Sequence, residues 1–300
     1  MKVPSTAAEP LTRWVEVGEG VRLHLLDWGG EGDPVLLLHG FGQSAHIYRT
    51  MAPLLAGGLR PVALTFRAHG ESGTPEEGYS LGRFAADVIT AMDQLGVERA
   101  ALVAHSLGAA VATRVAVDAP GRVTHVVYLD SLTDYAGIGR IQARNPARAP
   151  LLSPGADDEA ERAWHRAYIY GTWNAAAGAD WAARAEPAVR IHRRELLAEL
   201  VDDVTHTPEP FGELRCPALA LMAHESVRTQ FPWLPRDDPR HAAARDWLRD
   251  VRTPWRRASA ERFVREAPNG RVAEIHGNHY FFLSDAERTA AEIRGFLLST

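Results

Sequence analysis

Ala101 to Ala119, A-L-V-A-H-S-L-G-A-A-V-A-T-R-V-A-V-D-A, constrains this chain more than any other stretch, because a short apolar run meets a helical pattern there at Ser106. Ala101 to Ala104 is too short and too apolar for anything but a buried strand. Leu107, Val111 and Val115, with Ala112 and Ala116, recur at three and four residues, the spacing of one helix face. Strand therefore becomes helix within about two residues. The intervening A-H-S-L-G is one residue away from G-x-S-x-G, the strained turn that holds a serine hydroxyl above a parallel sheet. So sharp a turn brings the two backbones together, and Ala104 and Gly108 stand where a larger side chain would collide. The same turn aims the helix N-terminus at the hydroxyl, where free N–H groups favour developing negative charge. The competing reading is that Ser106 is only a small polar residue near a helix start, where serine is common.

The surrounding sequence repeats this strand-to-helix rhythm. Trp14 to Val17 and Val21 to Asp27 read as two strands joined at Gly18 to Gly20, an antiparallel edge. Val35 to Leu38 is an uninterrupted apolar run, the mark of a strand buried on both faces, and a helix is expected from about Ser44 to Ala56. Pro61 to Phe66 is the next buried strand. Ser80 caps a helix whose Leu81, Phe84, Ala85, Val88, Met92 and Leu95 form one stripe, closed by Gly96. Val123 to Leu129 follows as a strand. Such alternation predicts parallel strands with helices on both faces.

The rhythm breaks after Asp130. Residues 133–210 carry only helical pattern, with Trp164, Tyr168, Tyr170, Trp173 and Trp181 among many charged residues, and read as an inserted helical cap. These aromatics read first as helix-packing core rather than a ligand cage. Strands resume at Ala218 to Met222 and Arg271 to Ile275, and Ser284 with Glu287 predicts a capping box for the closing helix through Phe296 and Leu298. The long connection between those strands suggests a second lid element within 226–268. The core is thus expected in 1–132 and 211–300, with the cap in 133–210.

Composition narrows the partners. A net charge of −5 argues against nucleic acid or an anionic membrane, both of which demand a basic surface. Cys216, the single cysteine, excludes an internal disulfide and a thiolate metal cluster, and reads as a small buried residue. His165, His192 and His206 are too scattered for a metal site, so no metal and no cofactor are expected. Nowhere do about 18 apolar residues run together, and the N-terminal stretch lacks a signal-peptide core. The expectation is a soluble, cytoplasmic protein, monomer or homodimer, acting on a small molecule.

Four blocks carry a resemblance: H-G-F-G at His39 to Gly42, R-A-H-G-E-S at Arg67 to Ser72, A-H-S-L-G at Ala104 to Gly108, and G-N-H at Gly277 to His279. Each is preceded by an expected strand. In this order they resemble the α/β-hydrolase superfamily, over nearly the whole chain outside the cap. The resemblance implies an α/β-hydrolase fold: a mostly parallel eight-stranded sheet, helices on both faces and an inserted helical cap.

The roles it implies follow the needs of acyl transfer. A serine hydroxyl is a poor nucleophile at neutral pH, so Ser106 needs a base, and a histidine titrates in the right range. The family places its base just beyond the last strand, which among the 13 histidines points to His279, with His276 as the lesser candidate. His39, His69 and His105 belong to motifs and read as loop supports. The oxyanion donors of the family resolve here to the backbone N–H groups of Leu107 and Phe41. The acid departs from pattern, because the usual G-x-x-D turn after Ala218 to Met222 reads A-H-E-S, with Ser226 at the aspartate position. Asp130, at the end of the strand Val123 to Leu129, is the preferred acid; Glu225 is the alternative. Arg67 and Glu71 read as ties between loops, with Arg67 also able to meet an acidic substrate.

The expected activity is hydrolysis of a medium-sized, partly apolar ester, thioester or lactone through an acyl-enzyme on Ser106. C–C bond hydrolysis, acyl transfer to another acceptor, or a ligand-binding, receptor-like protein with feeble turnover are the alternatives, since fold alone does not set chemistry. Epoxide and haloalkane reactions are not expected, because they use an aspartate where Ser106 stands.

Overall fold

The computed structural model of the chain describes residues 9–132, 135–147, 194–206, 208–232 and 234–299. Eight strands form one sheet: β1 (Leu11–Glu16), β2 (Arg22–Asp27), β3 (Asp33–Leu38), β4 (Leu59–Leu64), β5 (Ala100–His105), β6 (Val123–Leu129), β7 (Ala218–His224) and β8 (Arg271–His276), in spatial order β1-β2-β4-β3-β5-β6-β7-β8. Only β2 runs against its neighbours, antiparallel to both β1 and β4, so the sheet is mostly parallel. The hairpin forms because Gly18 and Gly20 take φ of 87° and 72° between β1 and β2, a turn open to residues without a Cβ.

The uninterrupted apolar strands are buried on both faces, and their two-residue period sorts them between two cores. Leu36, Leu38, Leu102, Ala104, Val126 and Tyr128 face one cluster; Val35, Leu37, Val103, Val127 and Leu129 face the other. On the first face lie α1 (Leu81–Gln94) and α2 (Leu107–Asp118). The Ser80 hydroxyl accepts from Arg83 N at the start of α1, and Phe84, Ala85, Val88, Ala91 and Met92 form its buried stripe. Burying each of the larger of these side chains contributes about 1.5–3 kcal/mol.

Two expected details differ. The helix expected from Ser44 to Ala56 is broken into a 3₁₀ turn, Ala45–Tyr48, and a short helix, Ala52–Leu55. Pro53 explains the break: it has no N–H to bond back and its ring excludes the carbonyl four residues earlier, so it is tolerated only in the first turn of a new helix. The capping box expected from Ser284 and Glu287 is not formed. Ser284 Oγ donates to Phe281 O inside the preceding turn, and the closing helix starts after Asp285 without a side-chain cap. A capping box does form at Ser226 and Thr229, directly after β7.

In the segment expected to form the cap, α3 (Tyr135–Ala143) and α4 (Ala198–His206) are described. Leu200 and Val204 of α4 join the core beside α1, and Leu81 N donates to Asp203 Oδ2 at 2.8 Å. Trp164, Tyr168, Tyr170, Trp173, Trp181, His165 and His192 lie outside the described residues. Between β7 and β8, α5 (Arg240–Trp247) runs through a π-turn, Leu248–Arg252, into α6 (Thr253–Glu266). Phe231, Leu234, Ala244, Trp247 and Leu248 pack with Ala147 and Ile141 as a third apolar cluster, so this connection and the start of the expected cap share one small core. The closing helix is α7 (Ala286–Leu297). Among the described residues no helix is long and apolar enough to cross a membrane.

Candidate active site

Ser106 follows β5 with φ 51° and ψ −121°, a conformation that costs a non-glycine residue about 1–3 kcal/mol and persists only where its surroundings enforce it. The enforcement is visible. Its N–H donates to Ser131 Oγ at 2.5 Å, and the Ser131 hydroxyl donates in turn to Leu129 O at 2.6 Å. Gly108 allows the corner to close: a Cβ there would stand 2.4 Å from Leu38 O. Leu107 begins α2, so its N–H has no acceptor within the helix. Phe41 sits in the turn closed by Gln43 N and Gly40 O, at the end of β3. Gly40 is equally constrained, since a Cβ there would lie 2.9 Å from His105 Nδ1 and 3.0 Å from Ser106 Cβ.

Asp130 leaves β6 with φ 53°, so two non-glycine residues on neighbouring strands both turn in the left-handed region at the same sheet edge. Its N–H donates to Leu221 O, and its Oδ1 accepts from Ala223 N at 2.8 Å, which fixes it to β7. Oδ2 lies 2.8 Å from His279 Nδ1. The carboxylate is 1% exposed and the imidazole 26%, so the pair is dry at one end and open at the other. Burial alone would raise the Asp130 carboxyl, but the Arg256 guanidinium and His279 together hold it well below the usual carboxylate range. Glu225, the alternative acid, is drawn off by Arg252, which donates to its two oxygens at 2.6 and 2.7 Å. His276, the lesser base candidate, ends β8 with an exposed side chain.

The motif histidines act as struts. His39 Nδ1 donates to Gly40 O at 2.7 Å while its Nε2 accepts from Phe66 N at 3.0 Å, which fixes a neutral tautomer. His105 Nε2 lies 3.0 Å from His279 O, and the two rings are 4.4 Å apart. Burial, reinforced by neighbouring imidazoles, pushes both His39 and His105 well below the ordinary histidine range. Arg67 is fully buried, bonded to both oxygens of Asp87 at 2.7 Å and to Gly78 O, and so is removed from any substrate. Glu71 meets His46 Nε2 at 2.8 Å, a tie between loops.

His24, His46 and Glu71 bring potential metal ligands within 4.8 Å of one another. Their geometry is that of a hydrogen-bonded cluster. Arg49 Nε donates to His46 Nδ1 at 3.0 Å, which leaves the ring proton on Nε2, toward Glu71. The His24 and His46 rings stack at 15°, so their planes lie nearly parallel rather than tilted toward a shared ion.

Ser131 and Arg256 are the residues that the sequence did not flag. Ser131 sits beside Asp130 without a motif of its own, and Arg256 reaches Asp130 across 126 residues from a helix with no distinguishing pattern.

An eight-stranded, mostly parallel sheet with its strained serine corner at the C-terminal edge defines the class as α/β hydrolase. Residues 35–292 match the alpha/beta hydrolase family, and the chain belongs to that family. Among curated relatives it is 38% identical over 108 residues to the dihydrolipoyllysine-residue acetyltransferase component of the acetoin cleaving system of Cupriavidus necator, covering 36% of this chain and 29% of that one. It is 34% identical over 169 residues to a fluoroacetate dehalogenase of Burkholderia sp, covering 51% of this chain. The chain thus spans 29% and 54% of the length of these relatives. Among solved structures, the proposed alpha/beta hydrolase ALR0039 from Nostoc sp PCC 7120 superposes with a TM-score of 0.69 at 22% identity, over 98% of this chain and all (100%) of that one. Est816, an N-acyl homoserine lactone degrading enzyme, gives 0.63 at 20% identity, over 95% and 100%. At these identities the likeness speaks for the fold.

Proposed function

We propose that the chain is a serine-dependent hydrolase that cleaves a medium-sized, partly apolar ester, thioester or lactone through an acyl-enzyme on Ser106. The observation that carries this reading is the pairing of His279 Nδ1 with a buried, ionised Asp130 beside the strained serine corner. With the Nδ1 proton committed to Asp130, the Nε2 lone pair of His279 is the one left to accept the Ser106 proton. Ser106 Oγ then attacks the carbonyl carbon, and the N–H groups of Leu107 and Phe41 receive the oxyanion; each such donor contributes about 3–4 kcal/mol to the transition state. The imidazolium returns its proton to the leaving group. Water, deprotonated by the same imidazole, releases the acid and restores Ser106.

A nucleophilic hydroxyl, not a carboxylate, stands at the corner, which favours acyl chemistry over the halide displacement named for the dehalogenase relative. In this reading residues 133–210 are the expected cap, most of which lies outside the described residues. Acyl transfer to an acceptor other than water is the second reading, favoured by the acetyltransferase relative. The binder reading takes its motive from the missing G-x-x-D aspartate, and the bond from His279 Nδ1 to Asp130 weighs against it. The test is a panel of p-nitrophenyl esters of graded acyl length with small lactones and thioesters, run with Ser106→Ala. Turnover that peaks at intermediate length and vanishes in the variant is the expected result; no turnover of any acyl substrate, with or without added thiol or amine acceptors, refutes it.

A further inference from the structure

Asp130 has a second cationic partner besides His279. Arg256, in the first turns of α6, places Nη2 2.5 Å from Asp130 Oδ1 and Nη1 3.2 Å from Oδ2, and its Nη2 also donates to Ala223 O at 3.1 Å. A carboxylate offers about four lone-pair sites. Here Ala223 N, His279 Nδ1 and the two guanidinium nitrogens take all of them, so the carboxylate has no freedom to rotate away from the imidazole. The guanidinium is itself held from behind: Glu225 Oε1 lies 3.7 Å from Arg256 Nη1, and Arg252 forks onto Glu225. Arg252 ends the π-turn and Arg256 follows one turn later, so both arginines project from the same side of the helix. The side chains of Asp130, Arg256, Glu225 and Arg252 are 1 to 8% exposed.

We propose that Arg256 is a positioning residue that clamps Asp130 against His279 and, through its charge, tempers the basicity of His279, with Glu225 setting how strongly it does so. The charges alternate in a row: imidazolium when formed, Asp130 carboxylate, Arg256 guanidinium, Glu225 carboxylate, Arg252 guanidinium. A buried carboxylate on its own favours the imidazolium. The guanidinium on its far side offsets that field, and Glu225 restores part of it. Glu225, one residue from the position where the family usually carries its acid, thus acts at one remove. Among the described residues, the other ionisable or polar groups against the pair include His105, held neutral by burial, His39 behind it, and Tyr280, whose hydroxyl meets Gln43. His224, Arg257 and Glu274 line the same cleft as Arg256.

The catalytic readout rests on the hydrolase reading; the titration of His279 does not. Selective ¹³C-histidine labelling, with the His279 signal assigned by its loss in His279→Gln, gives the imidazole midpoint in wild type, Arg256→Met, Arg256→Lys and Glu225→Gln. The acidic limb of kcat/KM against pH is recorded in parallel. Arg256→Met should raise both midpoints by about 1 pH unit, Arg256→Lys should stay near wild type, and Glu225→Gln should move both the opposite way. If Arg256→Met does not fold, Glu225→Gln carries the same test with its own sign. An unmoved midpoint in Arg256→Met or Glu225→Gln, or shifts of one sign in the two, overturns the proposal. Expected imidazole shifts in a protein without esterase turnover would refute the hydrolase reading alone.

Discussion

His279 and Asp130 meet at 2.8 Å although 149 residues of sequence separate them, and the sheet explains how. In the β5–β6 register His105 pairs with Leu129, so Ser106 and Asp130 leave adjacent strands at one level. In the β7–β8 register His224 pairs with His276, which brings the loop holding His279 to the same edge. Asp130 reaches across β7 to that loop. Glu225, although it follows β7 directly, points instead into the fork of Arg252.

Replacing each carboxylate separately distinguishes their roles. Asp130→Asn should lower kcat by about 10⁴-fold, because the amide no longer holds the Nδ1 proton of the productive tautomer. Glu225→Gln should cost under about tenfold, since its carboxylate acts only through Arg256. Steady-state rates on the best ester of the panel read both.

The serine corner tolerates no added carbon. In Gly108→Ala the new Cβ would meet Leu38 O at 2.4 Å and His39 O at 2.8 Å, backbone atoms that cannot swing aside. A loss of about 2–3 kcal/mol in urea unfolding is expected.

Arg67 is a fold residue and not a substrate contact. With both partners buried, Arg67→Met strips Asp87 of its bidentate partner and leaves it only the longer contact with Arg83 at 3.4 Å, and a loss of about 3 kcal/mol is expected. Adding Asp87→Leu should recover much of it, a double-mutant comparison that a substrate-binding arginine would not produce.

His24 makes the fold sensitive to acid. Burial lowers it from 6.5 to about 4, against the opposing pull of Glu71. Below pH about 6.5 the unfolded chain takes up a proton that the folded chain refuses, so stability falls as pH drops from there toward 4 and is flat above. The loss reaches roughly 3 kcal/mol at most. His39 and His105 shift in the same direction, so His24→Asn should lose visibly less stability than wild type between pH 6.5 and 4.5, as read by urea midpoints, and still lose some.

Apolar period and turn residues made the sheet legible. Each of the eight strands overlaps its expected position because uninterrupted runs such as Val35 to Leu38 have nowhere to go but between two helical layers. Pro53 broke an expected helix through a local rule that the apolar stripe outweighed. At Ser284 the hydroxyl donates to the carbonyl of Phe281 in the preceding turn, and its oxygen accepts from no N–H of the closing helix. The corner at Ser106 was legible because its chemistry is local. The partners of Asp130 were not, since Arg256 and Arg252 resemble any solvated arginines of a helix until the fold brings them to Asp130 and Glu225. Ser131 was silent for the same reason: its bond to Ser106 N joins two strands.

The most direct measurement is reaction with a fluorophosphonate followed by peptide mass spectrometry. One phosphonyl adduct on Ser106, formed with loss of fluoride and abolished in His279→Ala, is the predicted result. Well-folded protein that stays unlabelled, or carries the adduct on another residue, contradicts a serine nucleophile at this corner.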